Sequence, residues 1–298
     1  MPKVSIIIPT YNQSTLLRKA LESVLAQAEG DWEAIVVNNY SDDDTIETVE
    51  AFADPRIRRM EFRNDGIIAA SRNKALEAAT GEWIAFLDSD DLWSERKLEA
   101  CLRHADDADL ICHREQTTKD GQVIRVSPHH QPERADYRRL LFDGNCLSPT
   151  AVMVRREAVN RVGGFSERPD FATCEDYDLW LRLAQQGIRV AFVGQVMSVY
   201  RLHDANNSAS VQRHMNANLS VLENHYAALT EKRPLDGLRY RRCRSMAIYG
   251  AARSFQKAGA FADALRHFLR SLWVFPLNLR AAVFGCLSTA QVLARRPR

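Results

Sequence analysis

Apolar residues in the first third of the chain fall in short solid blocks, each closed by polar residues and separated from the next by a helical repeat. Val4-Ser5-Ile6-Ile7-Ile8 is rich in β-branched residues and stops at Pro9-Thr10-Tyr11-Asn12, which predicts a buried strand running into a loop. From about Ser14, apolar residues recur at helical spacing as Leu16, Leu17, Ala20, Leu21, Val24 and Leu25. Glu33-Ala34-Ile35-Val36-Val37 repeats the strand pattern and ends in Asn38-Asn39-Tyr40-Ser41, where Ser41 or Asp42 can cap a following helix. Ile57 to Phe62 predicts a more polar third strand and Gly66 to Ala79 a helix. Ile84-Ala85-Phe86-Leu87 is a fourth strand, apolar enough to be buried on both faces, and it breaks into Asp88-Ser89-Asp90-Asp91. This alternation predicts an α/β fold with a doubly wound, mostly parallel sheet. Ligands of such sheets bind beyond the carboxyl ends of the strands, where three of these polar loops fall.

Past Asp91 the pattern gives a helix over 94–105 and a short strand over 108–112. Residues 113–134 lose periodicity and read as a loop that contains His129-His130 between two prolines. A strand over 151–154 and a Gly163-Gly164-Phe165 turn follow. Cys174-Glu175-Asp176 then opens a helix that ends at Gly187, ahead of two strands over 188–193 and 196–201. Everything beyond about Ser210 is helical in pattern. Ala252, Phe255, Ala264, Phe268 and Pro276 match part of one tetratricopeptide unit, where a stable array needs about three. The expected division is an α/β domain over 1–208 (donor half 1–112, acceptor half 113–208) and a basic helical region over 209–298.

Charge changes this picture at one end. The net charge of the 298 residues is only +2, yet residues 231–298 carry 14 Lys/Arg against three acids, a balance of +11. Such asymmetry points to an anionic partner, a membrane face or a lipid phosphate rather than nucleic acid, with helices that merely carry solvated basic faces as the plainer alternative. Six scattered cysteines without a C-x-x-C pair argue against a zinc cluster or disulfide framework and fit a reducing compartment. A strand that begins after three residues leaves no room for a signal peptide. Uncharged runs reach no more than 14 residues, as in Ala281 to Ala294, short of the roughly 20 that span a bilayer. A cytoplasmic protein is expected, placed at the inner face of the membrane.

Three carboxylates within four residues at a strand end repel one another unless a cation joins them, and a hard divalent ion with oxygen ligands is the simplest candidate. A solvated turn with helix-capping acids is the plainer alternative. The other motifs bear on this choice. Val4 to Asn12, Val36-Val37-Asn38-Asn39-Tyr40-Ser41, Arg72-Asn73, Asp88-Ser89-Asp90-Asp91, Gly163-Gly164-Phe165 and Glu175-Asp176 occur in an order and at spacings that resemble family 2 of the GT-A fold glycosyltransferases, over roughly residues 3–205. The resemblance implies inverting transfer of a sugar from a nucleotide diphosphate sugar to a hydroxyl of a saccharide or lipid-linked acceptor, as in envelope polysaccharide synthesis.

By the same resemblance Pro9, Tyr11 and Asn39 hold the nucleobase, Arg72 adds a cation on the phosphates, and Asp88 belongs to the donor-nucleotide site. Asp90 with Asp88 holds Mn²⁺ or Mg²⁺, and His203 after Tyr200-Arg201 is a further ligand. Asp176 is the base that takes the acceptor proton, and Glu175 orients it. Trp180 is a candidate platform for an acceptor sugar, although its spacing with Leu183 and Ala184 also suits a core position. The family usually carries Asp-Asp after the second strand, and this chain has Asn38-Asn39. An amide accepts and donates, so uridine is the first expectation, with thymidine, guanosine and cytidine still open. Two other readings stand beside this one. A haloacid-dehalogenase-like phosphohydrolase wants D-x-D-x-[TV] after the first strand, whereas here the fifth position is Leu92 and the strand is the fourth. A non-catalytic nucleotide-sugar binder would fit the Asn38-Asn39 departure.

Overall fold

The computed structural model describes residues 3–202 and 211–294. The described residues form two units, one of 3–137, 146–169 and 175–202, the other of 138–145, 170–174 and 211–294. The strands are β1 (Val4–Thr10), β2 (Trp32–Asn38), β3 (Ile57–Glu61), β4 (Trp83–Phe86), β5 (Leu92–Trp93), β6 (Leu110–Lys119), β7 (Gln122–Val126), β8 (Val152–Arg155) and β9 (Val190–Leu202). Seven helices lie among them: α1 (Ser14–Leu25), α2 (Thr45–Glu50), α3 (Ile68–Ala78), α4 (Lys97–Leu102), α5 (Tyr137–Asp143), α6 (Arg156–Arg161) and α7 (Glu175–Gln185). Four more follow: α8 (Val211–Ala227), α9 (Asp236–Lys257), α10 (Phe261–Val274) and α11 (Leu279–Ala294).

The nine strands make one sheet in the order β3-β2-β1-β4-β8-β6-β9-β5, with β7 paired to β6. From β3 to β4 every pairing is parallel. Every residue of β1 and β2 is buried, as a strand covered on both faces requires, while β3 at the edge is half exposed. Ile6, Leu17, Leu21, Val36, Trp83 and Ala85 share one core, and each large side chain contributes about 1.5–3 kcal/mol by its burial. Gly81 lets β4 start close to β1: a Cβ there would come within 2.6 Å of the Ser5 backbone nitrogen.

Beyond β4 the sheet becomes mixed. β8 runs antiparallel to β4 and to β6, and β6 and β9 pair in parallel with register shifts at His113/Arg114 and Arg114/Glu115. The stretch expected to be a loop from residue 113 is strand as far as Val126, folded into a β6–β7 hairpin. Asp120 (φ 50°) and Gly121 (φ 78°) turn it with the positive φ angles of a tight two-residue hairpin. All five residues of β7 are exposed, so no inward-facing apolar set marks it in the sequence. The two strands expected over 188–201 are one, β9, and the helix expected over 94–105 is regular only from Lys97 to Leu102.

In the second unit α8 packs on α9, α9 on α10 and α10 on α11. Ala252, Ala264, Phe268 and Ala281 form a core there with Phe255 packed against it, so four of the five tetratricopeptide-like positions face inward, while Pro276 is exposed. A buried polar knot joins three elements: Asn278 Nδ2 donates to Ser245 Oγ at 2.9 Å and to Ser271 Oγ at 3.0 Å. No helix among the described residues is long and apolar enough to cross a membrane.

Candidate active site

The carboxyl ends of β1, β2 and β4 open into one pocket of about 320 Å³. Pro9, Thr10, Tyr11, Gln13, Asn39, Asn64, Gly66, Ile68, Asp88, Ser89 and Asp90 line it. Five residues named from the sequence (Pro9, Tyr11, Asn39, Asp88 and Asp90) therefore meet there. Gln13, Asn64 and Ser89 were not foreseen.

Side chains of one strand-end loop satisfy the backbone of the next. Asn12 Oδ1 accepts from the Asp42 N–H at 2.8 Å, and Asp43 accepts from the Ser14 N–H at 2.8 Å. Asp43 also accepts from the Thr45 N–H at 3.2 Å, so it serves the start of α2 in place of the expected Ser41 or Asp42. Asn38 is fully buried, donates to Glu61 at 2.9 Å and accepts from Ser41 Oγ at 2.6 Å. It braces the loop. Asn39 stands at the pocket wall, its Oδ1 accepting from the Asn64 N–H at 2.9 Å. That bond aligns the amide and commits one lone pair of its oxygen. Ser89 Oγ donates to Gln13 at 2.5 Å and joins the fourth strand end to the first.

Arg72 corrects an expectation. It does not line the pocket but sits behind it, 3% exposed, with its guanidinium 5.4 Å from the Phe165 ring centroid. Its Nη2 donates to Asp88 Oδ1 at 2.7 Å and its Nη1 to Glu175 Oε1 at 2.6 Å. Burial works against the charge, but the two carboxylates outweigh it and hold Arg72 above its ordinary pKa. The neighbouring Asn73 clasps the glycine turn, its Nδ2 donating to Phe165 O at 2.9 Å and its Oδ1 accepting from the Phe165 N–H at 2.8 Å. Gly164 is needed at this point, with φ +72° and an imagined Cβ only 2.7 Å from Asn73 Oδ1.

Glu175 and Asp176 occupy the first turn of α7, where the helix dipole favours acids. Glu175 is buried and Asp176 half-buried. Burial, then the Glu175 charge, push Asp176 up to about 7, with Arg72 pulling the other way. Trp180 takes the core position that its spacing suits, not the acceptor platform. It is 1% exposed and packs edge-on against Phe86 at 6.1 Å, so it belongs to the core and offers no face to an acceptor.

Asp91, the third acid of its run, is 1% exposed. It accepts from Thr150 Oγ1 at 2.6 Å and from the Arg201 N–H at 3.1 Å, tying the loop to β9. Burial, with Asp88 and Asp90 nearby, raises its pKa well above the usual carboxylate range. Arg201 Nε donates to the Asp90 carbonyl. Glu115 on β6 joins this group unannounced, pushed up to about 7 by burial against hydrogen bonds from Ser198 and Ser148. Its position within an aperiodic stretch gave no sign of it. His203 lies outside the described residues.

Comparison with known proteins agrees with this geometry. The family described as glycosyl transferase family 2 matches residues 5–163. WfgD of Escherichia coli, named a UDP-Glc:alpha-D-GlcNAc-diphosphoundecaprenol beta-1,3-glucosyltransferase, is 31% identical over 223 residues, covering 74% of this chain and 85% of its own. TarS 1–349 from S. aureus, solved with UDP, superposes with a TM-score of 0.63 at 17% identity over 97% of this chain and 87% of its own. The mannosyltransferase PcManGT from Pyrobaculum calidifontis, solved with GDP-Man and Mn²⁺, gives a TM-score of 0.61 at 21% identity over 98% and 85%. Both carry the GT-A fold of mixed α/β type seen here. The chain belongs to glycosyl transferase family 2.

Proposed function

We propose that the pocket at the ends of β1, β2 and β4 holds a nucleoside diphosphate sugar, and that Asp176 takes the proton from an acceptor hydroxyl as the sugar is transferred with inversion. The observation that carries this reading is the Asp88–Arg72–Glu175 bridge, with contacts of 2.7 and 2.6 Å. It brings the acids at the end of β4 and those at the start of α7 to one place. A base works best with a pKa near the operating pH, which the burial of Asp176 provides. Glu175, held by Arg72, positions the first turn of α7.

The residues present fit a divalent ion. Asp88 and Asp90 line the pocket and offer hard carboxylate oxygens, suited to Mg²⁺ or Mn²⁺. No group of three ligating side chains occurs among the described residues, so donor phosphate oxygens and water would complete the shell. When bound, the ion would act as a Lewis acid on the leaving diphosphate. Tyr11 and Asn39 would meet the base. With one lone pair of Asn39 Oδ1 engaged by Asn64, its Nδ2 hydrogens are suited to a base carbonyl. Uridine is the base we infer, in line with the UDP bound to TarS and named for the donor of WfgD. The diphosphoundecaprenol acceptor in the name of WfgD supports a lipid-linked acceptor here, and the +11 charge of residues 231–298 supports work at an anionic inner membrane face.

Thermal shift with UDP and GDP, with and without Mn²⁺, tests the donor site. A larger stabilisation by UDP with Mn²⁺, lost in Asp90→Ala, is expected. Equal Mn²⁺-dependent shifts for Asp90→Ala and the unmodified chain would place the metal elsewhere.

A further inference from the structure

The helical unit presents an apolar face that nothing among the described residues covers. Leu269 and Trp273 stand outward on α10 at i, i+4, Leu277 follows in the turn, and Leu279, Val283 and Leu287 stand outward on α11 at the same spacing. All six are at least 51% exposed, and Trp273 reaches 83%. The opposite sides of the same helices are filled by Ala264, Phe268 and Ala281, so this face is surplus to the core. Large exposed apolar patches mark interaction sites.

Charge selects the occupant. Asp263 is the only acid after Asp236, and it is engaged by Arg266 at 3.1 Å. Arg270 and Arg280 are exposed beside the apolar rows, and no acid among the described residues pairs with them. A second copy docked on this face would bring arginines against arginines. Outward Trp and Leu edged by Arg, on helices too short to span, is the pattern of an element lying in the headgroup region of an anionic bilayer.

We infer that the Leu269–Leu287 face of α10 and α11 inserts into an anionic lipid surface, with Trp273 as its anchor. This inference rests on the proposed membrane location of the enzyme and names the surface that makes the contact.

Trp32, Trp83, Trp93 and Trp180 are each no more than 5% exposed, so tryptophan quenching by brominated acyl chains reports on Trp273 in the full chain. Vesicles of phosphatidylglycerol with phosphatidylcholine are expected to quench the protein and co-sediment with it, whereas phosphatidylcholine alone does neither. Trp273→Ala with Leu277→Ala, and separately Arg270→Glu with Arg280→Glu, should each weaken partitioning about ten- to a hundredfold. Both variants should keep the melting temperature and the UDP shift, since all four side chains are exposed. Unchanged partitioning of both, with loss instead on charge reversal of Arg239 and Arg242 of α9, overturns this face and leaves the membrane location standing. No partitioning of the unmodified chain overturns face and location together, while the UDP shift judges the donor site on its own. A concentration-dependent dimer abolished by Trp273→Ala with Leu277→Ala, without vesicle binding, overturns the inference in favour of a second copy.

Discussion

On the β1–β4 side of the sheet, strands run parallel and buried, and the loops at their ends are stitched together by Asn12, Asn38, Asp43 and Asn39. On the β6–β9 side, two long strands slip register twice, and a hairpin projects with Val123, Ile124 and Val126 at least 40% exposed. Phosphates and a base present the same outline to every enzyme that uses them, so a rigid, pre-satisfied cradle suits them. A sheet edge that tolerates bulges and an exposed hairpin can be reshaped without disturbing that cradle. Arg72 and Asn73 fasten the first side to the start of α7 and to the Gly163-Gly164-Phe165 turn.

The contrast can be tested from its strongest point to its weakest. Asp176→Asn should lower kcat by about 10²–10⁴ while UDP binding is retained, measured by turnover and thermal shift. Unchanged turnover would remove Asp176 from its role. Arg72→Ala removes the cation that bridges Asp88 and buried Glu175, and should cost about 3–5 kcal/mol in urea unfolding. Arg72→Lys should recover part of that, since one ammonium cannot match both directed contacts. A loss within experimental scatter would mean that the two halves are fastened elsewhere.

The pH profile comes next in size. Asp176 is raised to about 7, so it remains protonated, and useless as a base, up to that pH. kcat/KM should therefore climb about tenfold per unit below pH 7 and level above it. Glu115 titrates near 7 as well, so the rise should survive in Glu115→Gln and vanish from the residual rate of Asp176→Asn. Ile124→Ser, on the exposed hairpin, should change stability by no more than about 0.5 kcal/mol. A larger loss would show that the hairpin is covered in solution.

Legibility in the sequence follows the same divide. β1, β2 and β4 could be read because burial on both faces leaves unbroken apolar blocks, as in Ile6-Ile7-Ile8 and Ile35-Val36-Val37. The β6–β7 hairpin could not be read by periodicity, since no residue of β7 faces a core, although Asp120-Gly121 is a hairpin turn signal that could have been weighed. Pro9, Tyr11, Asn39, Asp88 and Asp90 share one pocket because their motifs sit at strand ends, where ligands of such sheets bind. Arg72 was misplaced because sequence shows a cation near phosphate-binding motifs but not that Glu175, 103 positions away, neutralises it first. Trp180 carried two readings, and its spacing with Leu183 and Ala184 pointed to the core position that it occupies.

The clasp of Asn73 on Phe165, with Arg72 on Glu175, bears on recombination between relatives. A chimera that takes residues 1–79 from one parent and the rest from another separates both side chains from the turn and helix they hold. Such a junction succeeds only where the second parent also supplies a bare glycine at position 164 and a carboxylate at position 175. A breakpoint before residue 72 or beyond residue 175 leaves every one of these contacts within a single parent.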